Sequence, residues 1–323
     1  MGKKNENKGL DKATKPKGED PGRYDFMGKA PLFAMVSLVA MVASAVAIGV
    51  YGFNYGIDFS GGTEIQVQFN QQVPTSRVRA FAENIGSKNA SVQALQETNE
   101  FLIRVENKQG LSEKETNTMI NEMISGVTAS LAKEFPQEEP AVRRVDSVGP
   151  QVGSELKRNS ILAAFYSLLM ILIYIGLRFD YKYAPGAVIS LFHDAMITLG
   201  VFAVTGHEVN IQTMAAILTI IGYSLNDTIV TYDRIRENIH VYRDENFRFV
   251  VNRSINDVLS RTILTSLTTL LAVAAMYFLA GGVIKDFAFT LGIGVIVGTY
   301  SSIYIASPLV MVADQIMSKK ATA

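Results

Sequence analysis

Three ionisable side chains interrupt or border stretches that are otherwise almost free of charge: Asp194 beside His193, Asp227 after Asn226, and Arg261 at the head of an apolar run. Inside hydrocarbon such groups are costly, and by default they mark functional positions. Asp227 has polar company at helical spacing. Tyr223 lies four residues before it, Ser224 three before and Thr231 four after, so all share its face. Gly222 adjoins that face and would admit a close neighbouring helix. Beyond Arg261, the residues Thr265, Thr268 and Thr269 form a second polar stripe. Two such stripes are expected to face one another inside a bundle, joining carboxylate, guanidinium and hydroxyls in one hydrogen-bonded group with room for water. Proton passage is the chemistry that suits it. Burial raises a carboxylate's pKa and a nearby guanidinium lowers it, so moving the arginine or the water changes the protonation state. Each proton crossing 100 mV delivers about 2.3 kcal/mol, enough to bias a domain motion. A structural Asp227–Arg261 salt bridge, or Arg261 as a headgroup anchor, is the competing reading. Asp194 is equally deep and is a second candidate; a simple partnership with His193 or a packing hydrogen bond is its plainer reading.

Other chemistry finds little support. Cysteine is absent, which removes disulfides and thiolate metal sites. His207-Glu208 begins like a zinc-binding helix motif, but Ile211 stands where the second histidine must be. Gly22 to Lys29 resembles a phosphate loop only loosely, with Ala30 where Ser or Thr is required. With three histidines in the chain, no nucleophile–base arrangement emerges. Catalytic residues, metal and cofactor are therefore not expected, and the chain does not read as an enzyme. Lys+Arg and Asp+Glu balance at 30 each, which gives no basic surface for nucleic acid.

The elements that must position these residues are set by charge distribution. Windows near 31–50, 161–177, 183–204, 211–232, 262–280 and 287–313 are nearly uncharged, and each runs roughly 17–27 residues, enough to cross a membrane. Six transmembrane helices are expected. The first is too long, and preceded by too long a charged segment, for a cleaved signal peptide, so it reads as an uncleaved anchor. Lysines and arginines crowd residues 1–30, the turn after the second span (Arg178, Lys182), the 233–261 connection and the 316–323 tail, whereas the two short loops on the opposite side offer only Lys285, and long translocated loops do not count. Both termini are then cytoplasmic. Residues 1–22 read as a disordered part of the N-terminal tail. Residues 51–158 change character and should form a domain on the far side of the membrane. Ile65, Val67 and Phe69 alternate with Glu64, Gln66 and Gln68; Val78, Phe81, Ala82 and Ile85 recur at helical spacing; 91–95 and 101–105 read as strands turning at Asn99; Met119, Ile120, Met123, Val127 and Leu131 line a longer helix ended by Pro136; and 141–148 closes the set. The order β-α-β-β-α-β predicts an α+β ferredoxin-like domain between the first and second spans. In 233–261, Phe247, Val250, Val251, Ile255, Val258 and Leu259 predict an amphipathic helix lying along the cytoplasmic surface.

Four segments carry a resemblance to a known family. Gly56-Ile57-Asp58-Phe59-Ser60-Gly61-Gly62-Thr63 follows the first span and Val148-Gly149-Pro150-Gln151-Val152-Gly153-Ser154-Glu155-Leu156 precedes the second. Gly222 to Val230 runs on into Asp233-Arg234-Ile235-Arg236-Glu237-Asn238, and Arg261 to Ser266 opens the fifth span. In order and spacing these resemble the signatures of the SecF family of bacterial protein-export membrane proteins, related to the resistance-nodulation-division (RND) superfamily, over about residues 23–315. The glycines also have structural readings: Gly61-Gly62 as a tight turn into the first strand, Gly149-Pro150 as a bend toward the membrane. The resemblance implies an inner-membrane subunit that pairs with SecD and associates with the SecYEG channel, which SecA drives, with YajC as a frequent companion. It also implies that the proton motive force is used to draw a translocating preprotein outward. Carried over by position, Asp227 and Arg261 would be the proton-relay pair and Thr265 a helper; Asp194 is not singled out. Half of an RND-type small-molecule exporter, or a non-catalytic assembly factor whose buried charges fix helix register, are the alternative readings.

Overall fold

The computed structural model describes residues 22–85, 91–95, 99–105, 113–179 and 182–322, and the tail preceding them, expected to be disordered, lies outside this range. In chain order the elements are α1 (Phe26–Tyr51), β1 (Asn54–Tyr55), α2 (Ile57–Ser60), β2 (Gly62–Gln68), α3 (Thr75–Ile85), β3 (Ser91–Leu95), β4 (Glu100–Val105), α4 (Glu113–Glu134) and β5 (Ala141–Val148). Then follow α5 (Pro150–Arg178), α6 (Ala184–Thr205), β6 (Glu208–Val209), α7 (Ile211–Val241), α8 (Phe247–Leu279), α9 (Gly282–Ser301), a π-helical turn (Ser302–Ala306) and α10 (Ser307–Thr322). Among the described residues, six helical spans are long and apolar enough to cross a membrane, the last running from α9 through the π turn into α10.

Between the first two spans, the alternation of residues 64–69 becomes β2, with Ile65, Val67 and Phe69 buried. Four antiparallel strands lie in the order β3-β4-β2-β5, the ferredoxin-like arrangement expected from the sequence. Asn99 takes the left-handed conformation (φ 51°) that the β3–β4 turn requires. Val78, Phe81 and Ala82 of α3 and Val127 and Leu131 of α4 close one face of the sheet in a core with Phe101, Ile103 and Phe135. The side chains of Met119, Ile120 and Met123, assigned to the same helical face, lie outside the described residues.

The two glycine-containing signatures meet at the base of this domain. Gly61 ends α2 at φ +72°, and a Cβ there would lie 2.9 Å from Pro150 Cα; a Cβ on Gly153 would lie 3.0 Å from Gly61 N. Pro150 occupies the first turn of α5, where its missing N–H costs nothing, so Gly149-Pro150 is a direct strand-to-helix junction. β1 pairs in parallel with β6, which ties the chain leaving α1 to the loop between α6 and α7.

At the other end the structure corrects one expectation. The 233–261 segment is a helical hairpin: α7 continues to Val241 and α8 starts at Phe247, in one helix with the fifth span. Its apolar positions Val251 and Ile255 are buried against Tyr232, Ile235 and Ala187 of the bundle, and Val250 is buried as well. The helical period was right, but its apolar face meets other helices. Asn238 donates to Ser254 Oγ (3.0 Å) and Asp257 Oδ2 (3.0 Å), fastening the hairpin, and Asn252 Oδ1 accepts from the backbone N–H groups of Phe26 (2.8 Å) and Met27 (3.1 Å) at the start of α1.

Two glycines should respond oppositely to alanine. Gly126→Ala, in exposed α4 with open space around it, should stabilise by about 0.5–1 kcal/mol. Gly61→Ala, at positive φ and against Pro150, should destabilise by about 1–3 kcal/mol. Denaturant unfolding of the purified full chain, followed by hydrogen exchange in β2 and β5, measures both.

Candidate intramembrane proton site

Helix α7 carries most of the site, and its outer end is pinned. Asn210 caps it by accepting from Thr213 N–H (2.9 Å), and Asp58 Oδ2 accepts from Ile211 N–H at 3.1 Å. The signature acid Asp58 therefore holds the helix start through one of its unpaired donors. From this end, α7 runs 31 residues past Tyr223, Ser224, Asn226 and Asp227.

The two deep acids end in opposite states. Asp194, on α6 and 1% exposed, accepts from Ser224 Oγ of α7 (2.6 Å) and Ser301 Oγ of α9 (2.8 Å) on Oδ2, while Oδ1 lies 3.0 Å from His193 Nδ1. One carboxylate thus binds three helices together. Asp227, 3% exposed, has an Oδ2 buried without a hydrogen-bond partner among the described residues, and the same holds for the Tyr223 hydroxyl and Thr228 Oγ1 on the same helix. Thr231 hydrogen-bonds to the Asp227 backbone carbonyl (3.1 Å), and Asn226 points outward from the bundle as an exposed residue. A half-satisfied polar group in an apolar interior is expensive unless it is protonated, hydrated or paired at some stage of its working life.

The predicted meeting of two polar stripes is corrected. Ser224 turns to Asp194. On α8 the buried face is Thr262, Ser266 and Val273, while Arg261 and Thr268 are exposed. Thr265 bonds back to the carbonyls of Arg261 and Thr262 (both 3.0 Å), Thr268 to that of Leu264 (2.9 Å), and Thr269 to that of Thr265 (2.9 Å). Arg261 and Ser266 are the α8 side chains close enough to act on the Asp227 carboxylate. No ion pair reaches Asp227 among the described residues. Instead Arg261 lines an open crevice with Tyr174, Arg178, Asp233 and Glu237.

Gly222, expected to admit a helix, has open space around it. The close approach comes from α9: a Cβ on Gly298 would lie 2.9 Å from Ser224 Cβ, and Gly294 packs still more tightly on Ile220. Ser266, Thr299 and Ser301 are site residues that sequence reasoning missed; Ser266 Oγ and Thr299 Oγ1 are 2.7 Å apart and join α8 to α9. The spacing of Gly294 and Gly298, four residues apart, was a usable signal for that contact.

A six-span helical bundle with buried carboxylates on adjacent helices, and one ferredoxin-like domain between its first two spans, defines a multi-pass membrane protein with an intramembrane ionisable site. Residues 127–315 match the family described as protein export membrane protein SecD/SecF, C-terminal, and residues 46–73 match the SecD/SecF GG motif. The chain is 44% identical over 294 residues to the protein translocase subunit SecF of Calditerrivibrio nitroreducens, covering 90% of this chain and 94% of that one. To the subunit of the same name from Magnetococcus marinus it is 43% identical over 300 residues, covering 93% and 95%. The crystal structure of SecDF, a translocon-associated membrane protein from Thermus thermophilus, superposes with a TM-score of 0.79 at 38% identity, covering 91% of this chain and 39% of that one. A SecDF structure in a super-membrane-facing form gives 0.66 at 38% identity, covering 94% and 40%. The chain belongs to the SecD/SecF family of protein-export membrane proteins, and it spans about two fifths of the length of those SecDF chains.

The hydroxyls should separate by position. Ser224→Ala removes a donor from a buried carboxylate and should lower bundle stability by roughly 1–2 kcal/mol, while Thr268→Ala, exposed and bonded to its own helix, should stay within about 0.5 kcal/mol of the parent. Thermal unfolding in detergent compares the two.

Proposed function

We propose that this chain is the SecF-type subunit of a bacterial protein translocase, working with a SecD-type partner to convert proton flow into outward movement of a preprotein. What carries the reading is the state of Asp227: a buried carboxylate with an unpartnered oxygen, next to a helix whose arginine stands at a crevice outside ion-pair contact. In that arrangement the carboxylate takes a proton when Arg261 is withdrawn. It releases the proton when the guanidinium swings in and stabilises the anion. Thr265 lies one turn along α8 from Arg261 and accompanies that swing. The balance is one proton gained and one lost at the Asp227 carboxyl per cycle, with no covalent change. Asp194, already supplied with hydroxyl donors, is the fixed member, joining α6 and α9 and anchoring α7 at Ser224 while Arg261 of α8 moves relative to it.

Several further points belong to the same reading. The membrane is the bacterial inner membrane, with both termini cytoplasmic and the ferredoxin-like domain on the far side, in agreement with the lysine and arginine distribution. The segments follow as a cytoplasmic tail 1–30, a first span 31–50, a periplasmic domain 51–158, the remaining spans to 315 and a cytoplasmic end 316–323. The partner subunit is supported by the SecDF chains, which contain this fold within a chain more than twice as long. Association with a SecYEG-type channel driven by SecA, and with YajC, follows the family resemblance.

The test is Asp227→Asn, which keeps the shape and removes the titrating proton. Preprotein export into inverted vesicles should fall to the level seen when a protonophore collapses the gradient, while co-purification with the SecD-type partner is unchanged. Export that still responds fully to the gradient in Asp227→Asn would retire the relay assignment.

A further inference from the structure

The open face of the domain sheet meets the bundle through a charged contact that the proton site does not use. Arg104, on β4, donates through Nη2 to Glu64 Oε2 on β2 (2.7 Å) and to Glu208 Oε2 on β6 (2.5 Å). All three side chains are largely shielded, at 13%, 18% and 9% exposed. Burial works against the arginine's charge, yet the pull of the two carboxylates keeps its pKa above the ordinary value. Glu64 belongs to the domain, whereas Glu208 belongs to the loop between α6 and α7. Two residues further on, Asn210 caps the helix that carries Asp227. The signature glycine Gly56 makes room for this contact: a Cβ there would collide with Glu208 Oε1.

We propose that Arg104 and Glu208 are positioning residues that couple the domain to the outer end of α7. The arginine holds two acceptors of different allegiance. When the domain is seated it bridges both; when the domain lifts, Glu64 travels with it and keeps the cation paired, and Glu208 is released. The guanidinium therefore avoids complete isolation, the costliest outcome for a buried charge. Its Nε, buried without an acceptor among the described residues, leaves a donor to spare as it shifts. A displacement of the domain is felt at Glu208, then at the Asn210 and Asp58 caps, and then along one continuous helix to Asp227. The functional half of this inference rests on the relay reading; the mechanical half does not.

The experiment takes advantage of a chain without cysteine. Spin labels on Arg79→Cys in α3 and Val204→Cys in α6, both exposed positions, report the domain-to-bundle distance in the reconstituted complex without any proton gradient. Glu208→Gln should broaden the distance distribution several-fold, whereas Glu64→Gln, which leaves the inter-domain bond, should keep it narrow. An unchanged distribution in Glu208→Gln, or equal broadening in both variants, overturns the staple. In the same preparations gradient-driven export should fall several-fold in Glu208→Gln. Broadening with unimpaired gradient-driven export overturns the coupling. Failure of the relay reading is distinguishable, because it appears in Asp227→Asn with the distance distribution intact.

Discussion

Hydrocarbon offers no hydrogen-bond partner, so every polar side chain in the bundle must be satisfied by protein, by trapped water or by a proton. The architecture is arranged around two acids that meet this constraint differently. Asp194 is satisfied by construction: serines from two neighbouring helices donate to one of its oxygens and an adjacent histidine lies against the other. Asp227 has an oxygen left bare. A saturated carboxylate gains nothing from a rearrangement, whereas an unsaturated one gains from a proton, a water or a cation. Helix packing follows the same division, with α6, α7 and α9 held at Asp194 and α8 joined to this group through the Ser266–Thr299 contact.

The division explains which parts of the molecule were readable from sequence. The six spans and the β-α-β-β-α-β order came through because both rest on local signals: uncharged length in one case and a change of apolar period in the other. Ile65, Val67 and Phe69 could be assigned inward from their alternation alone. The site was only half readable. Residue type singled out Asp194 and Asp227, but Ser224 sits three residues before Asp227 and serves Asp194, because α9 packs on that side through Gly294 and Gly298. On α8, Thr265 and Thr268 look as polar as Thr262 and Ser266. A threonine can bond to its own helix's carbonyls, so polarity does not reveal which way it faces. The rotation of a helix about its axis is a tertiary fact. The surface helix expected in 247–259 went astray for a related reason: an amphipathic period states that one face is buried and leaves open whether the burying partner is lipid or protein.

Long-range charge pairing was the least readable feature. Arg104 and Glu208 are separated by 104 residues, and each alone is an ordinary surface-type charge in its own segment. Their meeting depends on β1 pairing with β6, which brings the chain leaving α1 beside the loop that begins α7. The family's glycines are the visible trace of this crossing. Gly56 leaves space for Glu208, Gly61 for Pro150 and Gly153 for Gly61. They let three backbone segments converge where the domain joins the membrane bundle, and a side chain at any of them would push the junction apart.

From that junction to the acid there is little slack. α7 is capped at its outer end by Asn210 and Asp58, and an α-helix of 31 residues extends about 45 Å. A tilt imposed at Ile211 is carried by the backbone ladder rather than absorbed, since the segment contains no proline to break it. The Ser224–Asp194 bond sits between the junction and Asp227, so the helix has a fixed point close to the acid. In the proposed relay, movement at the outer end becomes a change of angle about Ser224 that alters the separation of Asp227, three residues beyond it, from α8. A fixed carboxylate next to a free one is what lets this helix, in that proposed relay, act on the protonation of Asp227.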